Sequence, residues 1–361
     1  MITSGFLQAR NPFRIYGTAL SPGGLLAAKL VALVFVIQGL WRLTDPFVPY
    51  LGIFDHVGDP KTFQHILQAV WLIAAVTLFL NVFPRVCCAV LGVVIFVALL
   101  SSDALRTNNL TYTALLFILL SLSTKQTLTT ILRLQLIVLY GFAALNKLLD
   151  RGWRSGAFFE SWNTVQGYGH LYHNLAGVFP GRSFSATLSW GVILIEFLLM
   201  ISFVIPRLVP VGALLVVAYH SSLLFVTGST FTMFWYALVA TAIALAPWPA
   251  APPAVVYPRR SWVRALRGLD LSRAFVWELA RDAGLSLRVG DQSWRGRAAQ
   301  VRIVAFHPVL YFIVYVLLAS PQNPDRRWGA VLAFIAVAVA TVQLLPAQLR
   351  LRRVLPITSR V

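Results

Sequence analysis

Three ionisable residues fall inside long apolar runs: Lys147, Glu196 and His220. A charge at the centre of a bilayer costs about 2.5 to 3.5 kcal/mol on insertion scales, so such residues are functional candidates. Lys147 lies near the end of the segment Tyr140-Gly-Phe-Ala-Ala-Leu-Asn-Lys-Leu-Leu-Asp-Arg-Gly-Trp153. The chain has four lysines against 26 arginines, so a position needing only a fixed positive charge would more naturally hold arginine. Arginine keeps its proton, whereas a desolvated lysine can release it and act as a base. The plainer reading is a snorkelling interface lysine paired with Asp150 at i+3. Glu196 sits about ten residues, roughly 15 Å at helical rise, into its run and so near the midplane. There it is either protonated and bonded to a neighbouring helix, or ionised opposite a cation such as Lys147. His220, flanked by Tyr219 and Ser221, reads as an interhelical hydrogen bond or as a site group at the depth of Lys147. Asn108 and Asn109 open a further run, as an N-cap or as polar site groups. Cys87 and Cys88 are adjacent, which suits neither an ordinary disulfide between them nor a metal or redox spacing.

The elements that must position these groups follow from composition. Of 361 residues, 58% are hydrophobic and 12% charged, and mean hydropathy is +0.75, which excludes an ordinary soluble fold. The expected class is an all-α polytopic membrane protein of about ten transmembrane helices with a small α/β cytoplasmic insert. Apolar runs fall near 25–41, 66–83, 86–102, 110–123, 131–149, 186–205, 208–226, 231–247, 305–319 and 329–346. The fourth and ninth are short for a full crossing. The first ends at Trp41 and Arg42 without a processing site and reads as a retained helix. Residues 1–247 form the main membrane domain of about eight helices. Residues 248–304 form the insert, with strands expected at Ala254–Tyr257, Ala274–Trp277 and Leu285–Val289 and a helix at Trp262–Leu269. Residues 305–361 add two helices and a basic tail.

The net charge of +18 is explained by positive charge collecting on one side of a bilayer, and nucleic-acid binding is not expected. With the N-terminus inside, 21 of the 30 basic residues fall on the cytoplasmic side, Lys29 and ten arginines of the insert among them, and 8 outside. Both termini are then cytoplasmic. Two outer loops result, residues 42–65 with Asp45, Asp55, His56 and Asp59, and residues 150–185. This topology brings Asn108, Asn109, Lys147, Glu196 and His220 into the outer half of the membrane, with Trp153, Trp162 and Trp235 near the same interface. Membrane lipids, a lipid-soluble ligand and a polar or peptide substrate from outside are the expected partners, and no metal is expected. Arginine-rich, lysine-poor usage points to a bacterial inner membrane.

At these residues a resemblance enters. Leu134-Gln135-Leu136 through Trp153, with the Asn146-Lys147-Leu148 and Asp150-x-Gly-Trp elements, resembles the HTTM family, the transmembrane domain shared with vitamin K-dependent gamma-carboxylases. His220 and the run into Phe231-Thr-Met-Phe-Trp235 are similar to its later spans, and the likeness covers about residues 20–247. It implies a reduced quinone (menaquinol or similar) as cofactor, Lys147 as the base that activates it, and quinol-dependent oxygenation and carboxylation; His220, at the depth of Lys147, is the second expected catalytic residue. Asn108, Asn109, Asn146, Glu196, Trp153 and Trp235 would line the cofactor site. The family often has two lysines where this chain has Asn146 and Lys147, and the large lumenal domain that recruits protein substrates has no counterpart. Residues 254–305 resemble the small DCC-type thiol oxidoreductase domain through Val255-Val-Tyr257, Leu266-Arg-Gly-Leu-Asp270 and Leu287-Arg-Val-Gly-Asp291, without its defining cysteines. The alternative function is a non-catalytic quinone- or lipid-binding protein acting as sensor or assembly factor.

Overall fold

The computed structural model describes residues 10–43, 59–101, 107–165, 176–227, 232–258, 261–280 and 284–319, with isolated positions between 52 and 58 and at 172 and 174. Among the described residues the protein is mostly helical with one four-stranded sheet. The chain divides into two compact units, one of residues 1–125 and 246–361 and one of residues 126–245. The insert therefore belongs with the first helices, and a boundary falls at Lys125, inside the 1–247 domain expected from sequence.

In the first unit, helix α1 spans Pro22–Ile37, started by the Ser21 hydroxyl, which accepts from the Gly24 amide at 3.1 Å, and by proline at its first position. Helix α2 spans Pro60–Phe79, capped by Asp59, and α3 spans Pro84–Ser101. Helix α4 spans Asn108–Leu122. Phe35 of α1 stacks on Trp71 of α2 with ring centroids 5.4 Å apart. Where α3 meets α4, a Cβ on Gly92 would lie 2.8 Å from the Ala114 carbonyl oxygen, so only glycine permits this approach. Lys29, counted from sequence among the cytoplasmic loop residues, is instead fully buried within α1. Its ammonium donates to the carbonyls of Pro12 (2.6 Å) and Arg14 (2.9 Å) and to Asn81 Oδ1 (2.8 Å). Three acceptors compensate the buried charge and staple the N-terminal segment to the helix.

The insert has β1 at Ala254–Tyr257, α11 at Ser261–Leu269, β2 at Val276–Leu279, β3 at Ser286–Val289 and β4 at Gln292–Arg295. The sheet order is β2-β1-β3-β4, with β1 parallel to β2 (Val255 opposite Trp277) and antiparallel to β3 (Val255 opposite Leu287). The second strand starts two residues later than expected because the Asp270 carboxylate accepts the amides of Ala274 (2.8 Å) and Phe275 (3.1 Å), withdrawing them from the ladder. Helix α12, Arg297–Ala305, then bends by 57° into α13, Pro308–Ala319.

In the second unit α5 spans Leu128–Leu149, followed by α6 at Arg151–Arg154 and α7 at Ala157–Val165. Helices α8 (Ser183–Val204), α9 (Val209–Thr227) and α10 (Thr232–Leu245) complete it. Arg133 ties α5 to the end of α8, donating from Nε to the Phe203 carbonyl at 2.9 Å and from Nη2 to that of Val204 at 3.0 Å. Those carbonyls have no helical partner of their own, so a guanidinium is the natural cap.

Each of the first nine apolar runs is a helix, and the tenth, 329–346, lies outside the described residues along with Asp45, Asp55 and Phe231. Among the described residues, α2, α3, α5 and α8 are long and apolar enough to cross a membrane, and α12 with α13 would make a fifth if the bent pair is one span. Helices α1 and α4 and residues Met233–Leu245 of α10 are apolar but shorter. The long helices leave Ile73 (67% exposed), Phe142 (62%) and Leu149 (69%) facing outward, a surface suited to hydrocarbon rather than water.

Candidate functional site

The second unit brings Lys147, Glu196 and His220 into one polar cluster within an apolar helical bundle. Lys147 lies in the last turn of α5 and Glu196 in the middle of α8. The Lys147 ammonium donates to both carboxylate oxygens of Glu196, at 2.8 Å each. The side chains are only 18% and 7% exposed, so the pair has lost most of its water and each charge depends on the other. Asp150, the partner offered by the snorkelling reading, instead accepts from the Gly152 amide at 2.6 Å and caps α6.

Helix α9 supplies two neighbours. Tyr219 donates its hydroxyl to Glu196 Oε1 at a long 3.4 Å. His220 meets the Tyr140 hydroxyl through Nε2 at 2.9 Å. Adjacent residues on a helix diverge by about 100°, which lets α9 reach α8 through one side chain and α5 through the next. His220 is 4% exposed, and its Nδ1 is buried with no hydrogen-bond partner among the described residues. A buried donor or acceptor left open is costly, of order 1–3 kcal/mol, and is the atom to which an incoming polar group would add most. Phe234 sets its ring edge-on against His220 with centroids 5.3 Å apart, and Trp235 donates its indole Nε1 to Ser221 Oγ at 3.0 Å.

The remaining expected residues are distributed differently. Trp153 lies beside the cluster, with Lys147 Nζ 5.1 Å from its ring centroid and Phe158 stacked against it at 4.6 Å. A cation so placed gains from the ring's negative face. Asn146 is exposed, so the position next to Lys147 does not join the pair. Asn108 and Asn109 belong to the first unit, as the opening residues of α4. The N-cap there is Thr107, whose hydroxyl accepts from the Leu110 amide at 3.4 Å, and not an asparagine. Tyr140 is the residue that sequence reading left without a role. It precedes Lys147 by seven residues, two helical turns, within the stretch 136–145 that is otherwise apolar, and that spacing is the signal that could have found it.

Among the described residues no group of three or more His, Cys, Asp or Glu is placed to hold a metal. Cys87 and Cys88 are buried free thiols within α3. Comparison with known proteins returns no matching family model, no matching characterised protein and no matching solved structure, so the function has to be read from this cluster.

Proposed function

We propose that the protein is a multi-pass membrane protein of the bacterial inner membrane, of about ten spans with both termini cytoplasmic, that binds a lipophilic quinol in the second unit and deprotonates it at Lys147. The observation that carries this reading is the desolvated Lys147–Glu196 pair next to a histidine with an open ring nitrogen. A hydroquinone fits that donor set: Lys147 and His220 Nδ1 are suited to meet its oxygen, and Trp153 and Trp235 to flank its ring. When bound, it would supply the electrons with which oxygen is reduced.

The chain's own residues would handle the proton. In a water-poor site the charged pair and its neutral form, lysine amine with glutamic acid, approach each other in free energy. Transfer of one proton from Nζ to the Glu196 carboxylate leaves an amine that can take the ligand's hydroxyl proton, and Tyr219 stabilises whichever carboxyl form results. His220 orients the ligand oxygen while Tyr140 holds the imidazole from its other nitrogen. A second reading, retention of a quinone or lipid without chemistry, is favoured by the completeness of the Lys147–Glu196–Tyr219 bonding, which would equally serve as interhelical glue.

Mass spectrometry of lipophilic ligands extracted from gently purified wild-type and Lys147→Arg protein, paired with a quinol oxidation assay in oxygenated buffer, tests both. Arginine preserves the ion pair but cannot give up its proton. The expected result is a quinone in both samples and turnover in the wild type alone. Full activity in Lys147→Arg would remove the base from the mechanism. A retained quinone with no turnover in either would leave the binding role, and phospholipid alone would overturn quinone binding.

A further inference from the structure

The turn that follows α11 of the insert carries a second feature, independent of the Lys147 cluster. Its carboxylate, Asp270, is 8% exposed and accepts four donors: Ser272 Oγ (2.7 Å), the amides of Ala274 (2.8 Å) and Phe275 (3.1 Å), and Trp277 Nε1 (2.9 Å). A carboxylate so satisfied fixes the backbone around it. What the pinned turn displays is unusual. Arg273 is held at a φ of +51°, a conformation that costs a non-glycine residue of order 1 kcal/mol or more, and its side chain is exposed. Leu271 stands 52% exposed beside it, and the chain continues into edge strand β2 with Val276 and Leu279 each 51% exposed. Val276 and Leu279, three residues apart, project from opposite faces of the strand, so one of them at most shares a surface with Leu271, and an exposed apolar residue beside an unpaired strand edge is what a covering partner would bury.

The turn's place in the first unit identifies that partner. Asn11 Nδ2 donates to the Leu271 carbonyl at 2.5 Å, and His307 Nε2 meets the Leu266 carbonyl at 3.2 Å, directly before α13 begins at Pro308. Phe312 in the first turns of α13 packs against Phe13 (5.3 Å) and against Phe79 at the end of α2 (6.4 Å). The turn is therefore fastened at the end of the bundle where α13 starts and α2 finishes, where a bilayer crossed by these apolar helices would present its headgroups. Residues 254–305 hold ten arginines against four acids, with Arg264 and Arg267 exposed on α11. Such an excess repels a second copy of itself and attracts an anionic surface.

We propose that the Leu271–Arg273 turn and the β2 edge dock onto the anionic phospholipid headgroups of the leaflet at that end of the bundle, Leu271 entering the interface and Arg273 pairing with phosphate. Membrane association of this kind combines buried apolar area with basic side chains at the surface.

The test uses full-length protein with a fluorophore at Leu271→Cys, or, as control, at Gln292→Cys on β4 at the opposite edge of the sheet, in nanodiscs of phosphatidylcholine with or without phosphatidylglycerol. Quenching by a nitroxide carried on the lipid should be stronger at 271 than at 292, rise with phosphatidylglycerol and fall with added salt. Arg273→Gly suits the left-handed backbone and so keeps the turn, and it should reduce the anionic-lipid increment about fivefold. Equal quenching at the two positions overturns the proposal. So does quenching at 271 that ignores phosphatidylglycerol, or exclusion of a water-soluble quencher from 271 without lipid quenching, which would mean a protein covers the turn.

Discussion

The Lys147–Glu196 pair is the residue-scale feature on which most depends. Because both side chains are buried, removing one leaves the other charge stranded, and that loss is expected to exceed the net worth of the pair. Lys147→Ala should therefore destabilise the protein by about 3–5 kcal/mol. The double variant Lys147→Met with Glu196→Leu should recover most of that loss, since it removes both charges and keeps the volume. Thermal unfolding in detergent distinguishes the two, and equal instability would mean that the pair carries the bundle's register as well as its charge. A companion substitution, His220→Phe, strips the Tyr140 hydroxyl of the 2.9 Å contact to Nε2 and should cost about 1–3 kcal/mol while eliminating the open nitrogen. Ligand retention unaffected by that change would show that His220 does not touch the ligand.

At the scale of elements, two features of α2, α3 and α4 carry predictions. Gly92 lets α3 lie against the α4 backbone, with the Ala114 carbonyl 2.8 Å and the Ile118 amide 3.0 Å from where a Cβ would stand. Backbone atoms cannot rotate aside, so Gly92→Val must push the helices apart, with an expected cost of about 1–3 kcal/mol read from the unfolding temperature. Unchanged stability would mean that the two helices do not meet at this face. Helix α2 depends on Asp59, whose carboxyl is held below the usual carboxylate range by the Thr62 hydroxyl first and then by the Thr62 amide. A lowered folded-state value means that the cap is fully in force above the unfolded carboxylate range, near pH 4, and disappears as pH falls through the folded value. Hydrogen exchange in the first turn of α2, corrected for intrinsic rates, should speed up on acidification in the wild type and show no such step in Asp59→Ala.

For the whole molecule the question is which side each unit's ends face. The proposed topology has the insert inside and the α6–α7 segment outside, on the distribution of basic residues. Ser155 and Gln292 are both exposed, and the native Cys87 and Cys88 are buried, so single cysteines at the two exposed positions report topology cleanly. A membrane-impermeant maleimide added to intact cells should label Ser155→Cys at once and Gln292→Cys only after permeabilisation. The reverse order would invert the proposed orientation and with it the side from which a polar substrate reaches Lys147, and labelling of both would overturn it by putting the two segments on one side.

What the amino-acid order determined by itself is the set of helices and the identity of the costly groups. Hydrocarbon length and hydropathy act locally, so the nine described apolar runs are legible without a fold, and a lysine, a glutamate and a histidine inside them are conspicuous for the same reason. Partnership is not local. That Lys147 meets Glu196 rather than Asp150, that Tyr140 holds His220, and that Asn146 stands outside the cluster all depend on which faces of α5, α8 and α9 come together. Lys29 shows the same limit in reverse: read as a loop charge, it is a buried staple because Asn81, 52 residues away, and the bend at Pro12–Arg14 fold over it. The late start of β2 follows from one carboxylate taking two backbone amides, a competition between side chain and ladder that periodicity cannot register. Strand β4 is mostly polar, so no apolar alternation reveals it and its pairing with β3 makes it regular. Chain-local transfer free energies thus set the elements, while the pairing of charges and open hydrogen-bonding groups, which depends on distance and exclusion of water, was decided by tertiary structure alone.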